Sequence, residues 1–339
     1  MRITKKEGIS LFKENLLNLG RTADNIKKNK FGNVVTFIID RNINYTNICQ
    51  NECDFCAFFR RKNQKSSYVL SHEEIIEKVR EAVNLGATQV MIQGGLNPEL
   101  GLDYFEKMLR MIKKNFDITI HSFTATEIQY FAKLEGIPEL EILKRLQAAG
   151  LDSLPGGGAE ILVDEVRKKI SPKKISTDDW LNIMKSAHSI GMKSTATMVI
   201  GFDETIEQRI EHMEKIRNLQ DETGGFRAFI MWSFQPKNTK LGGEKISSWD
   251  YMKTLAFNRI YLDNIEHIQG SWVTQGERIG QLTLNFGADD LGSIMLEENV
   301  VKAAGTSYKM SVQKMINLIK ETGNTPAQRN TKYKILKEF

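Results

Sequence analysis

Cysteine is scarce in this 339-residue chain: there are three, and all lie within eight residues, Cys49-Gln50-Asn51-Glu52-Cys53-Asp54-Phe55-Cys56, spaced C-x3-C-x2-C. An odd count in a long chain excludes a disulfide framework. A compact zinc site needs a fourth ligand, and the nearest downstream histidine, His72, lies beyond the usual spacing. An iron–sulfur cube closed by protein alone takes four cysteines. Three thiolates packed this tightly suit one soft metal centre with one position left open. The alternatives are three free cysteines clustered by chance and a non-catalytic zinc or iron–sulfur binding module.

Other absences narrow the class. Six prolines and no low-complexity run exclude long disordered linkers. No stretch approaches the ~18 apolar residues of a membrane span, and the N-terminal MRITKKEGISLFKENLL lacks the apolar core and cleavage site of a secretory signal. There is no arginine-rich arm, and a net charge of +5 is small for this size, so neither nucleic acid nor membrane is expected as a partner. The expected compartment is a reducing cytoplasm, where thiolates survive. No strand–GxGxxG–helix unit of the dinucleotide-binding type is present.

What is there is a repeating pattern. Residues 3–29 carry a loose helical stripe opened by a Thr4–Glu7 capping box. Short β-branched and aromatic runs follow at 34–39, 88–95, 118–125, 150–162, 193–201, 226–234, 267–273 and 281–290. Between them lie helical patterns at 71–86, 102–115, 126–149 (broken near Gly136-Ile137-Pro138), 176–190, 203–220 and 247–262, and another closes the chain at 309–321. Eight strand-like runs separated mostly by helices predict an α/β fold, a (β/α)8 TIM-type barrel, with a doubly wound open sheet as the alternative. The expected division is an N-terminal helical extension over 1–33, a barrel over 34–305 and a C-terminal helical extension over 306–339. The cysteines then sit on the loop after the first strand, at the barrel end where such folds keep their chemistry.

Gln93-Gly94-Gly95 ends a strand, and Gly156-Gly157-Gly158-Ala159-Glu160 follows one; three glycines let backbone approach a ligand without Cβ in the way. No lysine-serine or lysine-threonine pair follows, so this is not a phosphate loop. Thr124, Asn238 and Asp290 fall at or after predicted strand ends, with Asp289, Glu297 and Asn299 nearby, so substrate contacts are expected there. None of the five histidines is given a role, and no catalytic residue is assigned.

C-x3-C-x-aromatic-C, with Phe55 at the aromatic position, resembles the signature of the radical S-adenosylmethionine superfamily. The resemblance implies that Cys49, Cys53 and Cys56 hold a [4Fe–4S] cluster whose open iron is chelated by S-adenosyl-L-methionine. Reductive cleavage of that cofactor would yield a 5′-deoxyadenosyl radical that abstracts hydrogen. It also implies cofactor contacts from Phe55, from the Gly94-Gly95 backbone and from Glu160. Over residues 2–305, DRNINYTNIC, CDFCAF, GLDSLPGGGAEIL, LQDETGGF, FQPKNT, SWVTQG and GADDLGSIMLEENVV resemble the cyclic dehypoxanthinylfutalosine synthase family of menaquinone biosynthesis. GGGAE and DETGGF are shared with aminofutalosine synthases and deazaflavin-forming synthases; FQP, SWVTQG and GADDLGS favour the cyclic synthases. Asp289 departs from the asparagine of that pattern. The implied substrate is a benzoate-bearing modified ribose, attacked at C4′ and closed onto its ring, and the implied partner is an external one-electron donor such as flavodoxin or ferredoxin. An arginine or backbone donors should meet the benzoate carboxylate, but the sequence does not choose among the arginines.

Overall fold

The computed structural model describes residues 2–306 and 308–339. Its strands are β1 (Val34–Ile38), β2 (Asp40–Asn44), β3 (Gln89–Gln93), β4 (Thr119–Ser122), β5 (Ser153–Leu154), β6 (Lys193–Ile200), β7 (Phe226–Ser233), β8 (His267–Gln269), β9 (Asp290–Ser293), β10 (Thr325–Arg329) and β11 (Ile335–Glu338). They form one curved sheet in the order β11-β10-β1-β9-β8-β7-β6-β5-β4-β3-β2. All pairings are parallel except β10 with β11.

The ends of this sheet meet on a single run of chain. β1 pairs with β9, and after Ile39 the same run continues as β2 and pairs with β3. Backbone bonds from Ile294 N to Ile38 O (3.1 Å), Leu296 N to Asp40 O (3.2 Å) and Thr88 N to Ile39 O (3.2 Å) bring both neighbours onto that run. Eight strand positions thus make up the wall, as the repeated βα pattern predicts.

The helices earn their places by periodicity. In Leu102–Asn115, Leu102, Phe105, Met108, Leu109 and Ile112 are buried, a stripe that faces the sheet. Phe105 also meets Phe123 and Phe131, with ring centroids 5.4 and 4.4 Å away. The break expected at 136–138 is real: Gly136 takes a left-handed cap at the end of Ala125–Glu135, and Pro138 caps Glu139–Ala149. The N-terminal extension is two helices, Lys5–Phe12, opened by the Thr4–Glu7 capping box, and Leu16–Phe31. Leu19 and Ala23 of the second pack on Ala256 and Ile260 of the outer helix Ser248–Tyr261.

Three expectations need correction. The run 281–290 is not a strand until Asp290: Glu277–Leu282 is helical and Thr283–Asn285 a 3-10 turn. Its alternation of polar and apolar residues mimics a strand, yet Gly280, Thr283, Leu284 and Gly287 are the buried ones, which is helical spacing. The run 267–273 is a strand only to Gln269, and Trp272–Gln275 is a helical turn. Among its described residues the C-terminal segment 306–339 is helical only over Val312–Lys320; it ends in the β10–β11 hairpin. Thr325-Pro326-Ala327-Gln328-Arg329 has a proline and three polar residues in five and carries no strand signature. It is a strand because β1, having lost β3 to β2, leaves an edge for it to pair with.

Candidate active site

The cysteine loop leaves the top of β2 and is tied down on several sides. Cys49 N donates to Arg60 O (3.1 Å), Gln50 N to Leu96 O (3.1 Å), Asp54 N to Ile170 O (3.0 Å) and Cys56 N to Cys53 O (3.0 Å). The bend at Glu52 has a left-handed φ of 47°, held by Arg61 (2.6 Å) and Lys173 (3.1 Å). All three cysteines are free; Cys53 is buried and the other two partly so. Among the described residues no three His, Cys, Asp or Glu side chains close to the spacing of a single metal ion. A cluster, whose ligands sit on different irons, needs a wider triangle. Burial pushes the Cys53 thiol up to about 12 and raises Cys56 as well, so loading this site with metal releases protons. Gly95 explains how the loop comes so close to β3. A Cβ there would stand 2.2 Å from Ile48 O and 2.8 Å from the Cys49 Cβ.

Below the loop a cavity of about 290 Å³ runs down the inside of the barrel. Its mouth has Phe55 and Cys56; its floor has His121, the third residue of β4, Arg227, the second residue of β7, and Thr331 and Tyr333 from the turn of the β10–β11 hairpin. Six residues on its wall carry buried polar atoms with no partner among the described residues: Asn42 Oδ1, Glu160 Oε2, Arg227 Nε and Nη2, Trp232 Nε1, Gln235 Oε1 and Thr331 Oγ1. Native interiors leave few such atoms unpaired, so a wall that gathers them is built for a polar ligand.

Glu160 is the most constrained of these. It is a non-glycine residue at φ 38°, a strained conformation that the surroundings must impose. Lys174 Nζ donates to its Oε1 at 2.7 Å, and Arg167 Nη1 lies 3.7 Å from Oε2 and donates to Ala159 O at 2.6 Å. Burial works against the Lys174 ammonium, but the Glu160 carboxylate and then Cys53 outweigh it and raise its pKa. His121 is the reverse case. Burial, and then the Arg227 charge, holds it well below the usual imidazole range, so it is neutral, with Nδ1 2.7 Å from Ser153 Oγ.

Of the residues expected at the site, Phe55, Cys56 and Glu160 line the cavity, whereas Cys49, Cys53, Gly94 and Gly95 are not among its lining residues. The Gly94 and Gly95 amides are engaged in the fold, with Glu127 Oε1 (3.1 Å) and Thr46 O (3.0 Å). Thr124 is the N-cap of Ala125–Glu135, its hydroxyl 2.8 Å from Glu127 Oε2. Asn238 donates to Ala303 O at 2.9 Å, outside the cavity. Asp290 is fully buried and committed to Arg329 (2.5 Å) and Thr36 Oγ1 (2.5 Å), so it reaches the cavity only through Arg329. Asp289 lies under the floor, bonded to Arg259, His267 Nδ1 (2.6 Å) and Ile268 N (2.8 Å); its departure from asparagine concerns an internal ion pair. The shared DETGGF motif is also architectural. A Cβ on Gly225 would fall 2.1 Å from the His188 ring.

Sequence reading missed Asn42, Arg227, Trp232 and Gln235. For Arg227 a signal existed: FRAFIMWSF is an apolar strand with one charge in it, and a charge on a buried strand needs a reason.

Comparison with known proteins agrees with this architecture. Residues 43–216 match the profile of the radical SAM superfamily, and residues 223–338 match the CofH/MqnC C-terminal region. The cyclic dehypoxanthine futalosine synthase of Halalkalibacterium halodurans is 47% identical over 90% of this chain and 83% of its own length. The protein of the same name from Streptomyces coelicolor is 45% identical over 99% of this chain and 86% of its own. The 5-amino-6-(D-ribitylamino)uracil–L-tyrosine 4-hydroxyphenyl transferase 1 of Methanosarcina acetivorans is 40% identical over 98% and 91%. Among solved structures, methylornithine synthase (PylB) aligns with a TM-score of 0.77 at 20% identity, covering 96% of this chain and 95% of that one. The hydrogenase maturase HydG from Carboxydothermus hydrogenoformans aligns with a TM-score of 0.78 at 18% identity, covering 98% and 77%; both share the fold.

Proposed function

The chain belongs to the radical S-adenosylmethionine superfamily, and from that premise we propose that it closes the ring of cyclic dehypoxanthinylfutalosine in menaquinone biosynthesis. The superfamily's [4Fe–4S] cluster and S-adenosyl-L-methionine, when bound, supply a reducing electron and a 5′-deoxyadenosyl radical. In this reading Cys49, Cys53 and Cys56 hold the cluster, and Phe55, the Gly94-Gly95 backbone and Glu160 face the cofactor. The substrate, a benzoate-bearing ribose, gives its C4′ hydrogen atom to the deoxyadenosyl group. A carbon–carbon bond from C4′ to the aryl ring would replace the broken C4′–H bond, and the attacked ring carbon would lose its own hydrogen, the proton to solvent and the electron to an external one-electron acceptor, restoring aromaticity. A flavodoxin or ferredoxin supplies the reducing electron, in a reducing cytoplasm.

The observation that carries the reading is the loop of three free cysteines set over a closed barrel cavity whose wall gathers unpaired polar atoms. The protein's own residues have two tasks there. They must hold C4′ against the reacting carbon, since positioning supplies much of the rate, and they must exclude water and stray hydrogen donors. Thr124 bears on the cavity through Gly157, whose Cβ would stand 2.7 Å from its methyl, and Asp290 through Arg329.

The 40% identity to the archaeal hydroxyphenyl transferase supports a second reading, transfer of a tyrosine-derived hydroxyphenyl group to a ribitylaminouracil. Anaerobic reconstitution, then dithionite and S-adenosyl-L-methionine with each substrate, separates the two by product mass. The proposed reading expects 5′-deoxyadenosine and a product two hydrogens lighter than dehypoxanthinylfutalosine. Turnover of tyrosine with the ribitylaminouracil in its place overturns it.

A further inference from the structure

Two arginines line the cavity, and they differ in one respect. Arg329 is paired with Asp290 through two bonds, Nε to Oδ2 at 2.5 Å and Nη2 to Oδ1 at 3.0 Å. Arg227 has no such partner: its Nε and Nη2 are both buried and unbonded among the described residues. Those neighbouring nitrogens form the edge of a guanidinium that grips a carboxylate side-on with two parallel bonds.

The charges around Arg227 are already taken. Asp152, the nearest acid that acts on it, is held by Lys113 (2.6 Å) and Ile120 N (2.7 Å). Of the acids on the cavity wall, Glu160 is paired with Lys174, whereas burial raises Asp40 and Glu298 toward their neutral forms, and their bonds are to neutral groups, Asp40 with Gln89 (2.8 Å) and Ser293, and Glu298 with Asn42 (3.1 Å) and Val301 N (2.8 Å). His121 is neutral, Arg329 is cancelled by Asp290, and Tyr333 stacks under Arg329 at 3.8 Å. Burial pushes Arg227 down to about 10, which leaves it protonated at neutral pH. The floor therefore carries one uncompensated positive charge.

A buried, unpaired charge is unfavourable unless an opposite charge joins it. We propose that Arg227 anchors a carboxylate subsite at the floor of the barrel, and that this subsite takes the aryl carboxylate end of the substrate. The assignment rests on the substrate class given above. It also fixes the orientation. Ser233 at the mouth stands six positions beyond Arg227 on the same strand; at ~3.3 Å per residue and a barrel tilt of ~36° that is roughly 16 Å of depth. A ligand with its carboxylate on Arg227 and its ribose at the level of Trp232 and Gln235 spans the cavity lengthwise.

The test uses the whole chain without its cluster, so it does not depend on catalysis. Benzoate and benzamide binding are measured by calorimetric titration on the wild type, Arg227→Gln and Arg227→Lys. Benzoate affinity is expected to fall at least tenfold in Arg227→Gln and less in Arg227→Lys, with benzamide unchanged by either. Because the guanidinium has no partner, Arg227→Gln is expected to melt no lower than the wild type. Equal benzoate binding by wild type and Arg227→Gln overturns the assignment, and so does a marked fall in melting temperature with benzoate binding intact. With reconstituted enzyme, KM for the aryl carboxylate substrate should rise at least tenfold in Arg227→Gln. Cyclisation with an unaltered KM would remove the subsite and leave the proposed function standing; benzoate binding that depends on Arg227 in a protein that does not cyclise would do the opposite.

Discussion

Gly95→Ala probes how the cysteine loop is held. The added Cβ would stand 2.2 Å from Ile48 O and 2.7 Å from Ile48 C, against an ordinary contact of 3.4 Å or more. Something must move by roughly 1.2 Å, the difference between those contacts. The loop's two backbone bonds to this strand end, Gly95 N to Thr46 O and Gln50 N to Leu96 O, leave little slack. The loop carrying Cys49 is the side that yields, because β3 is paired on both sides. Overpacking of this kind costs about 1–3 kcal/mol of stability, and a ~1 Å misplacement at a reacting centre costs about a hundredfold in rate. Gly225→Ala is the matched control, its added Cβ standing 2.1 Å from the His188 ring, at the start of β7 and away from the thiols. Both variants are reconstituted anaerobically and assayed for iron per chain and for 5′-deoxyadenosine per iron. Gly95→Ala is expected to lose iron, and about a hundredfold in rate on the iron it keeps; Gly225→Ala is expected to lose stability alone. Full iron and full rate in Gly95→Ala, or an equal loss per iron in Gly225→Ala, would show that the close approach does not set the position of the thiolates.

Two further outcomes follow from single residues. Glu160→Gln keeps the shape of the side chain but removes the charge opposite Lys174 and Arg167; one charge-assisted bond to the cofactor is worth about 1.5–3 kcal/mol, so S-adenosyl-L-methionine should bind on the order of 10- to 100-fold more weakly by equilibrium dialysis, and an unchanged Kd would take Glu160 away from the cofactor. Burial holds His188 at about 4 and His212 at about 3 in the folded chain, so the unfolded chain binds more protons once pH drops below ~6.5; that stability is complete above 6.5 and is lost as pH falls toward 4, by about 2 kcal/mol per histidine at pH 5, and urea unfolding at pH 7 and pH 5 should show His188→Gln losing about 2 kcal/mol less than the wild type, whereas equal losses would mean that His188 does not stay neutral.

Much of the barrel was legible because its signals are local. Helix ends carry capping boxes at Thr4, Ser71 and Ser176, and the stripes between them have clean helical period. Where the reading failed, a nonlocal cause decided. Thr325–Arg329 is a strand because the chain changes pairing partners at Ile39, an event invisible in residues 325–329 themselves. The run at 281–286 alternates like a strand, but Gly280 packs against Trp272 and winds it into a helix. The thiolates stood out because three cysteines in eight residues have few uses; the Asp290–Arg329 pairing did not, because a carboxylate after a strand looks the same whether it meets a ligand or an arginine 39 residues on.

The same distinction locates specificity. Glu160 of GGGAE lines the cavity with Cys56, and Gly225 of DETGGF makes room for a histidine ring. The lower part of the barrel is lined by other residues. In this chain that region is supplied by the last third of the sequence and its terminal hairpin: Arg227, Trp232 and Gln235 from β7 and its exit, Arg329 and Tyr333 from the segment that closes the floor. The hairpin sets the electrostatics there. Arg329 cancels Asp290, and Tyr333 stacks on both Arg329 and His267, with centroids 3.7 Å apart in the latter pair. With those charges settled among themselves and burial raising Asp40 toward its neutral form, the guanidinium of Arg227 is left at the floor without an acid to pair with among the described groups. A chemistry shared at the mouth of the barrel is thereby aimed by a charge at its base.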